Sequence, residues 1–299
     1  MRVDAHQHYW RPERGDYPWM AGAPVGLRRR FGPADLRPLL EAARVDATVL
    51  VQAAPTVAET DYLLGITDAT PSVAGVVGWV NFEDPAERAV LARLAASPSL
   101  LGIRPMVQDL PDDDWILRGD LDWAFAALQE MNLSFDALGY PRHARRFLQL
   151  CERYPGLRVV LDHGLKPEIA RREFSRWAGD MRDLAGHTQA SCKLSGLASE
   201  AAPGATIDEL RPYVEHLLEV FGPTRLMWGS DWPVATAAMG YGQWLETCQT
   251  LLSPLGDEDQ ALIFGGNAAA LYQFNHASMS TRPLAHSSVS EPQKRSYTT

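Results

Sequence analysis

A chain of 299 residues, 46% hydrophobic and 22% charged, has the composition of a globular protein with a large core. Its formal net charge of −9, from 28 Lys and Arg against 37 Asp and Glu, comes without a long basic run, which argues against nucleic acid or an anionic membrane as partner. Cys151, Cys192 and Cys248 are odd in number and lack zinc-ligand or redox spacing, and no apolar run reaches signal-peptide or membrane length, so a reducing cytoplasm is the expected location.

In chain order, a short apolar run, a polar or Gly/Pro loop and a helical pattern recur. Strands are predicted over 3–8, 47–52, 73–80, 101–107, 133–138, 158–162, 189–194 and 225–230. Most are almost continuously apolar, as strands buried on both faces of a parallel sheet are. Residues 10–35 hold several Pro, Gly and Arg and no periodic pattern, so a long loop is expected after the first strand. Helices are predicted over 85–96, 120–131, 143–154, 168–184, 207–221 and 257–274, from apolar residues at three- and four-residue steps. Eight strands alternating with helices predict a (β/α)8 TIM barrel, with a doubly wound open sheet as the alternative. No Gly-rich phosphate fingerprint follows any strand, which counts against a nucleotide-binding version. The catalytic domain is expected over 1–275. The Ser/Thr-rich residues 276–299 are expected to form a disordered tail.

The strongest chemical signal is Asp4-Ala5-His6-Gln7-His8 on the first strand. Residues two apart share a face, so His6 and His8 project together at the strand's C-terminal end, where barrel active sites lie. Two neutral imidazoles side by side suit a divalent metal or polarise a substrate oxygen; hydrogen-bonded core histidines are the plainer alternative. Asp231, in Trp228-Gly229-Ser230-Asp231-Trp232-Pro233, follows the eighth strand, which neighbours the first in a closed barrel. A carboxylate there is costly to bury without a partner, although a turn or helix cap is the ordinary use. His163, in Leu161-Asp162-His163-Gly164, ends the sixth strand and is the candidate third imidazole. His143, His187 and His216 fall in helices or loops and are expected at the surface; His276 and His286 lie in or beside the tail. Arg104, Gln52, Trp79, Asn81, Lys193 and Trp232 sit at strand ends, and polar groups beside aromatic platforms fit a polyhydroxylated ring. Arg104 suits equally an ion pair closing the barrel, and Trp232 lip packing. Tyr9, Trp10, Tyr17 and Trp19 are candidates for the entrance.

These residues resemble the amidohydrolase-2 branch of the amidohydrolase superfamily, and within it sugar lactonases of the L-fuconolactonase and L-rhamnonolactonase kind. The likeness is carried by Asp4-Ala5-His6-Gln7-His8-Tyr9-Trp10, Gly102-Ile103-Arg104, Asp162-His163, Lys193-Leu194-Ser195-Gly196-Leu197, Gly229-Ser230-Asp231-Trp232-Pro233 and Gly266-Asn267-Ala268, and runs to about Phe274. The resemblance implies a carboxylic ester (lactone) hydrolase that opens a small sugar lactone to its acid, with Asp231 as general base and His6, His8 and His163 beside it. It also implies those four residues as ligands of one divalent ion, zinc above all, or a metal-free variant of the chemistry. Many superfamily members carry a bridging lysine or a histidine ending strand five. Here Ser134-Phe135-Asp136-Ala137-Leu138 has neither, so a binuclear centre is not expected. A monomer or homodimer acting on a small molecule is the expected form. Two other readings compete: a metal-dependent decarboxylase of the same branch, and a barrel that binds sugar acids without catalysis. A serine hydrolase is disfavoured, because no Gly-x-Ser-x-Gly elbow is present.

Overall fold

β-branched, fully buried runs such as Ala-Thr-Val-Leu-Val make the strands, because such side chains pack well on a pleated surface. The computed structural model describes residues 1–274. Among them the strands are β1 (Val3–Gln7), β2 (Ala47–Val51), β3 (Val73–Gly78), β4 (Leu100–Ile103), β5 (Ser134–Ala137), β6 (Arg158–Leu161), β7 (Ser191–Leu194) and β8 (Leu226–Trp228). Each pairs in parallel with the next in sequence. The cylinder closes just beyond β8, where Gln7 and Trp232 form a parallel bridge. There the Asp231 N–H donates to His6 O at 2.8 Å and the His8 N–H to Trp232 O at 2.7 Å. The expected (β/α)8 barrel is the observed fold.

The helices are α1 (Pro33–Ala43), α2 (Val57–Thr67), α3 (Glu87–Ala95), α4 (Asp122–Glu130), α5 (Ala144–Arg153), α6 (Ser175–His187), α7 (Leu197–Glu200), α8 (Ile207–Phe221), α9 (Tyr241–Leu251), α10 (Asp257–Ala261) and α11 (Asn267–Leu271). Local chemistry starts several of them. Thr56 Oγ1 accepts the Glu59 N–H at 3.1 Å at the head of α2. Glu209 Oε2 reaches back to the Thr206 N–H at 2.8 Å before α8. No described helix is long and apolar enough to cross a membrane.

Four expectations need correction. The helix expected over 168–184 is a 3-10 turn, Ile169–Arg171, then a left-handed Arg172, then α6, which begins at Ser175. The helix expected over 257–274 is interrupted by a π-turn, Leu262–Gly266, at the paired glycines 265 and 266. The loop over 10–35 ends sooner than expected, because Pro33 occupies the first turn of α1, a position that needs no N–H. His143 and His216 are buried, not superficial: His143 Nδ1 accepts the Tyr140 N–H at 2.9 Å and His216 Nε2 donates to Ala178 O at 2.8 Å. Helices α1, α2, α7 and α9 had no expected counterpart. The tail expected over 276–299 lies outside the described residues.

Two features set the stage for the site. Between Asp4 and Gln7, β1 advances three residues while β2 advances two, from Thr48 to Leu50. This bulge turns Asp4 outward, where it accepts from the Ser230 N–H at 2.8 Å and the Tyr241 hydroxyl at 3.1 Å. At the opposite end, Tyr272 and Phe274 plug the barrel against Val3, Val49, Val77 and Met227.

Candidate active site

His6 Nε2 and His8 Nε2 lie 3.2 Å apart. Asp231 Oδ1 stands 3.3 Å from His8 Nε2, 3.7 Å from His6 Nε2 and 3.9 Å from His163 Nε2. All four side chains are buried. Two glycines make room for them. A Cβ on Gly229 would come within 2.8 Å of His6 Cβ. Gly196, with φ of +66°, leaves space where a Cβ would lie 2.7 Å from His163 Nδ1. His163 and Asp231 are themselves left-handed, with φ of 55° and 54°, as residues at functional turns often are.

The donor pattern defines protonation. Val51 O can only accept, so His8 Nδ1, at 2.8 Å, carries a hydrogen, and Nε2 faces Asp231. His163 Nδ1 pairs with Ser195 Oγ at 2.8 Å. Burial lowers the His6 pKa well below its usual value, against the pull of Asp162, and lowers that of His163 to about 4 despite Asp231. Burial opposes ionisation of Asp231, but His163, His8 and His6 outweigh it and hold the carboxyl well below its usual range.

These atoms fit a divalent cation. The Nε2 atoms of His8 and His6 stand 3.3 and 3.7 Å from Asp231 Oδ1, close enough to share one cation with the carboxylate. Ligand atoms of His6, His163 and Asp231 all lie within 4.8 Å of one another, and His8 Nε2 adjoins two of them. Imidazole nitrogens with one carboxylate oxygen are a donor set that zinc takes. The same group could hold an ion or act directly on a substrate.

His8, His163 and Asp231 open onto a cavity of about 220 Å³ walled by Trp10, Trp19, Arg104, Met106, Gln108 and Lys166, among others, with His6 just behind them. Trp19 is held by its Nε1–H, which donates to Ala53 O at 2.7 Å, so the long first loop forms part of the wall. Arg104 reaches the cavity while anchored behind it. Its Nη1 donates to Asp162 Oδ2 at 3.2 Å and lies 3.3 Å from His6 Nε2, and its Nη2 donates to Gln52 O.

The other expected substrate contacts stand elsewhere. Gln52 lies behind Arg104, with its Nε2 donating to Arg104 O at 2.8 Å. Trp79 anchors the chain to α2: its N–H and carbonyl both pair with Thr60 Oγ1. Asn81 Oδ1 accepts the Glu83 N–H at 3.0 Å, an ordinary turn. Trp232 is buried edge-on against Tyr9 and Phe31, so it packs the lip. Lys193 is wholly buried inside the barrel, paired with Asp136 Oδ2 at 2.6 Å and Asp162 Oδ1 at 3.0 Å. Burial disfavours its ammonium, but the two carboxylates outweigh this and raise its pKa. Tyr9 and Tyr17 are buried in the core beside the first loop, away from the cavity wall.

Asp162, Asp136, Gln108 and Lys166 went unassigned in the sequence. Strict alternation would place neighbours Asp162 and His163 on opposite faces; the left-handed His163 turns both inward. Asp136 did leave a signal, a carboxylate inside an apolar strand, which demands a buried cation.

A closed barrel with one histidine on β1 and another just after it, one after β6 and an aspartate after β8 defines a class of barrel hydrolases. The chain belongs to the amidohydrolase family, whose model, described as Amidohydrolase, matches residues 3–274. It is similar to the L-fucono-1,5-lactonase of Burkholderia ambifaria, 44% identical over 281 residues, covering 93% of this chain and 97% of that protein. It is 34% identical over 293 residues to the L-fucono-1,5-lactonase of Burkholderia multivorans, covering 91% and 96%. The solved structure of an amidohydrolase from Burkholderia multivorans with bound zinc matches it with a TM-score of 0.86 at 32% identity, covering 92% of this chain and 100% of that one.

Proposed function

We propose that this amidohydrolase is a lactone hydrolase that opens a sugar lactone to its sugar acid, with L-fucono-1,5-lactone the leading candidate and L-rhamnono- and L-galactonolactones the nearest alternatives. The observation that carries this reading is the meeting of an ionised Asp231 with three buried imidazoles, two of them on the wall of a small, mixed polar and apolar cavity. The two lactonases quoted above, similar over nearly the whole chain, support the substrate class.

Ester opening needs a water nucleophile, a base for its proton, and positive charge where the carbonyl oxygen becomes an oxyanion. Asp231, whose carboxyl lies well below its usual range and so is ionised, takes the proton as the water oxygen bonds to the carbonyl carbon. The bond from that carbon to the ring oxygen then breaks, and Asp231 returns the proton to the departing alkoxide. The Arg104 guanidinium, 3.3 Å from His6 Nε2 and on the cavity wall, supplies positive charge on the oxyanion side. His6, His8, His163 and Asp231 would also hold a divalent ion, zinc by the character of the donors, which when bound supplies Lewis acidity and lowers the pKa of a water to roughly 7. Gln108 and Lys166, joined at 2.6 Å, offer polar contacts to ring hydroxyls, while Trp10 and Met106 offer apolar ones.

The test is acid release, followed by a pH indicator, from L-fucono-, L-rhamnono- and L-galactonolactone with purified protein. Hydrolysis well above the buffer rate with at least one of them is expected. Buffer-level rates with all three, in metal-replete protein, would refute the reading.

A further inference from the structure

Glu59 is fully buried in the first turn of α2, three residues after the Thr56 cap. A glutamate at that position ordinarily reaches back to the N–H of the cap. Here the Thr56 N–H donates to Ala54 O at 2.9 Å, and the carboxyl turns instead to the exit of β2. Its Oε2 accepts the Ala53 N–H, at 3.0 Å, and the Ala54 N–H as well. Burial pushes its pKa up to about 8, so at pH 7 the group is mainly the neutral acid. With Oε2 taken by two amides, the acid hydrogen belongs on Oε1, on the side of the Tyr17 hydroxyl.

Those two N–H groups belong to consecutive trans peptide units. Such a unit is planar, with its C=O directed opposite to its N–H, so gripping the N–H fixes the aim of the carbonyl. The first unit, Gln52–Ala53, presents Gln52 O to Arg104 Nη2. The second, Ala53–Ala54, presents Ala53 O to Trp19 Nε1 at 2.7 Å. Arg104, just beyond β4, and Trp19, on the long first loop, both wall the cavity. One buried carboxyl thus fixes the two peptide planes that anchor wall residues from separate parts of the chain.

We propose that Glu59 is a positioning residue, which through the Gln52–Ala53 and Ala53–Ala54 peptide groups sets the Arg104 guanidinium and the Trp19 indole on the cavity wall without touching substrate. The role needs an acceptor oxygen, not a charge. The inference rests on the lactone-opening reading only for its kinetic readout.

The experiment uses full-length protein labelled with 5-fluorotryptophan, as wild type, Glu59→Gln, Glu59→Met and Glu59→Asp, with the Trp19 fluorine signal assigned from Trp19→Phe. Glu59→Gln keeps an oxygen for both amides, and is expected to hold the Trp19 signal in place with kcat and KM at the wild-type level. Glu59→Met fills the same space with no oxygen, which leaves both buried amides without an acceptor. Its Trp19 signal should shift or broaden, and kcat/KM should fall about tenfold or more, kcat through Arg104 and KM through Trp19. Glu59→Asp draws the carboxyl back by one methylene and decides the matter should the methionine variant fail to fold; it is expected to move the same signal and to lower kcat/KM severalfold. A folded Glu59→Met or Glu59→Asp protein with the wild-type Trp19 signal and kcat/KM overturns the proposal, as does a Glu59→Gln protein as impaired as Glu59→Met. Should the wild type open no lactone, the functional reading falls while the fluorine spectra still decide this one.

Discussion

The Nε2 atom of His8 lies 3.3 Å from Asp231 Oδ1 in a buried site. With His6 and His163 beside them, these atoms make a donor set that suits a divalent cation. Purified protein is expected to carry about one divalent ion per chain, and a chelator to lower both the rate and Tm. At a free zinc concentration a hundred times Kd, binding adds about 2.7 kcal/mol of stability, enough to read as a Tm shift. His6→Ala should lose the ion; full metal content in that variant would remove His6 from the ligand set.

Asp231→Asn keeps the shape and the buried position but removes the base. The expected outcome is a fall in kcat on the order of a hundredfold or more, with a native circular dichroism spectrum. Near wild-type turnover would take the base role away from Asp231.

Glu59 gives stability a pH dependence of its own. Its Oε2 accepts the Ala53 N–H at 3.0 Å and the Ala54 N–H, and burial pushes its pKa up to about 8 despite these bonds. A folded pKa above the unfolded one, about 4.3, means the folded state holds the extra proton between those values. Its contribution is therefore fully present below pH 4 and is lost as pH rises to 8. Glu59→Gln should remove that loss, so its Tm should exceed the wild type's at pH 8 by more than at pH 5. Parallel Tm curves for the two proteins would contradict this.

His163 has the opposite sign on the acid side. Its folded pKa of about 4 lies below the unfolded value near 6.5, so its contribution is present above pH 6.5 and fades as pH falls toward 4. In metal-free protein, His163→Gln should flatten the stability curve across that window, measured by urea unfolding at fixed pH values.

Gly196→Ala tests the room left for His163. A left-handed backbone costs a non-glycine residue roughly 1–2 kcal/mol, and the added methyl would meet His163 Nδ1 at 2.7 Å. A Tm lower by several degrees and a kcat loss at least tenfold are expected. Unchanged kinetics would show that the ring tolerates displacement.

The repeating strand and helix periods, with two histidines one residue apart on the first strand, made the barrel and the pair His6 and His8 legible in the amino-acid order alone. Placing Asp231 beside them followed from barrel closure, since parallel strands in sequence order bring the last to the first. Helix ends were less legible: Arg172 and the paired glycines 265 and 266 broke runs whose apolar spacing continued across them. Spacing reports which face is apolar, not whether the backbone stays helical.

Strand-end position alone did not separate cavity residues from anchors. Gln52, Trp79, Asn81, Lys193 and Trp232 were all expected at strand ends, yet hydrogen bonding and packing commit them elsewhere. What the sequence by itself determined was the architecture and the identity of the titratable groups at its rim, because periodicity and chain order are local properties. What only the tertiary structure decided was which polar groups face the cavity and which are consumed inside the barrel. That division depends on a bulge in β1, a left-handed turn at His163 and the mutual neutralisation of Lys193, Asp136 and Asp162, all of them contacts between residues far apart in the chain.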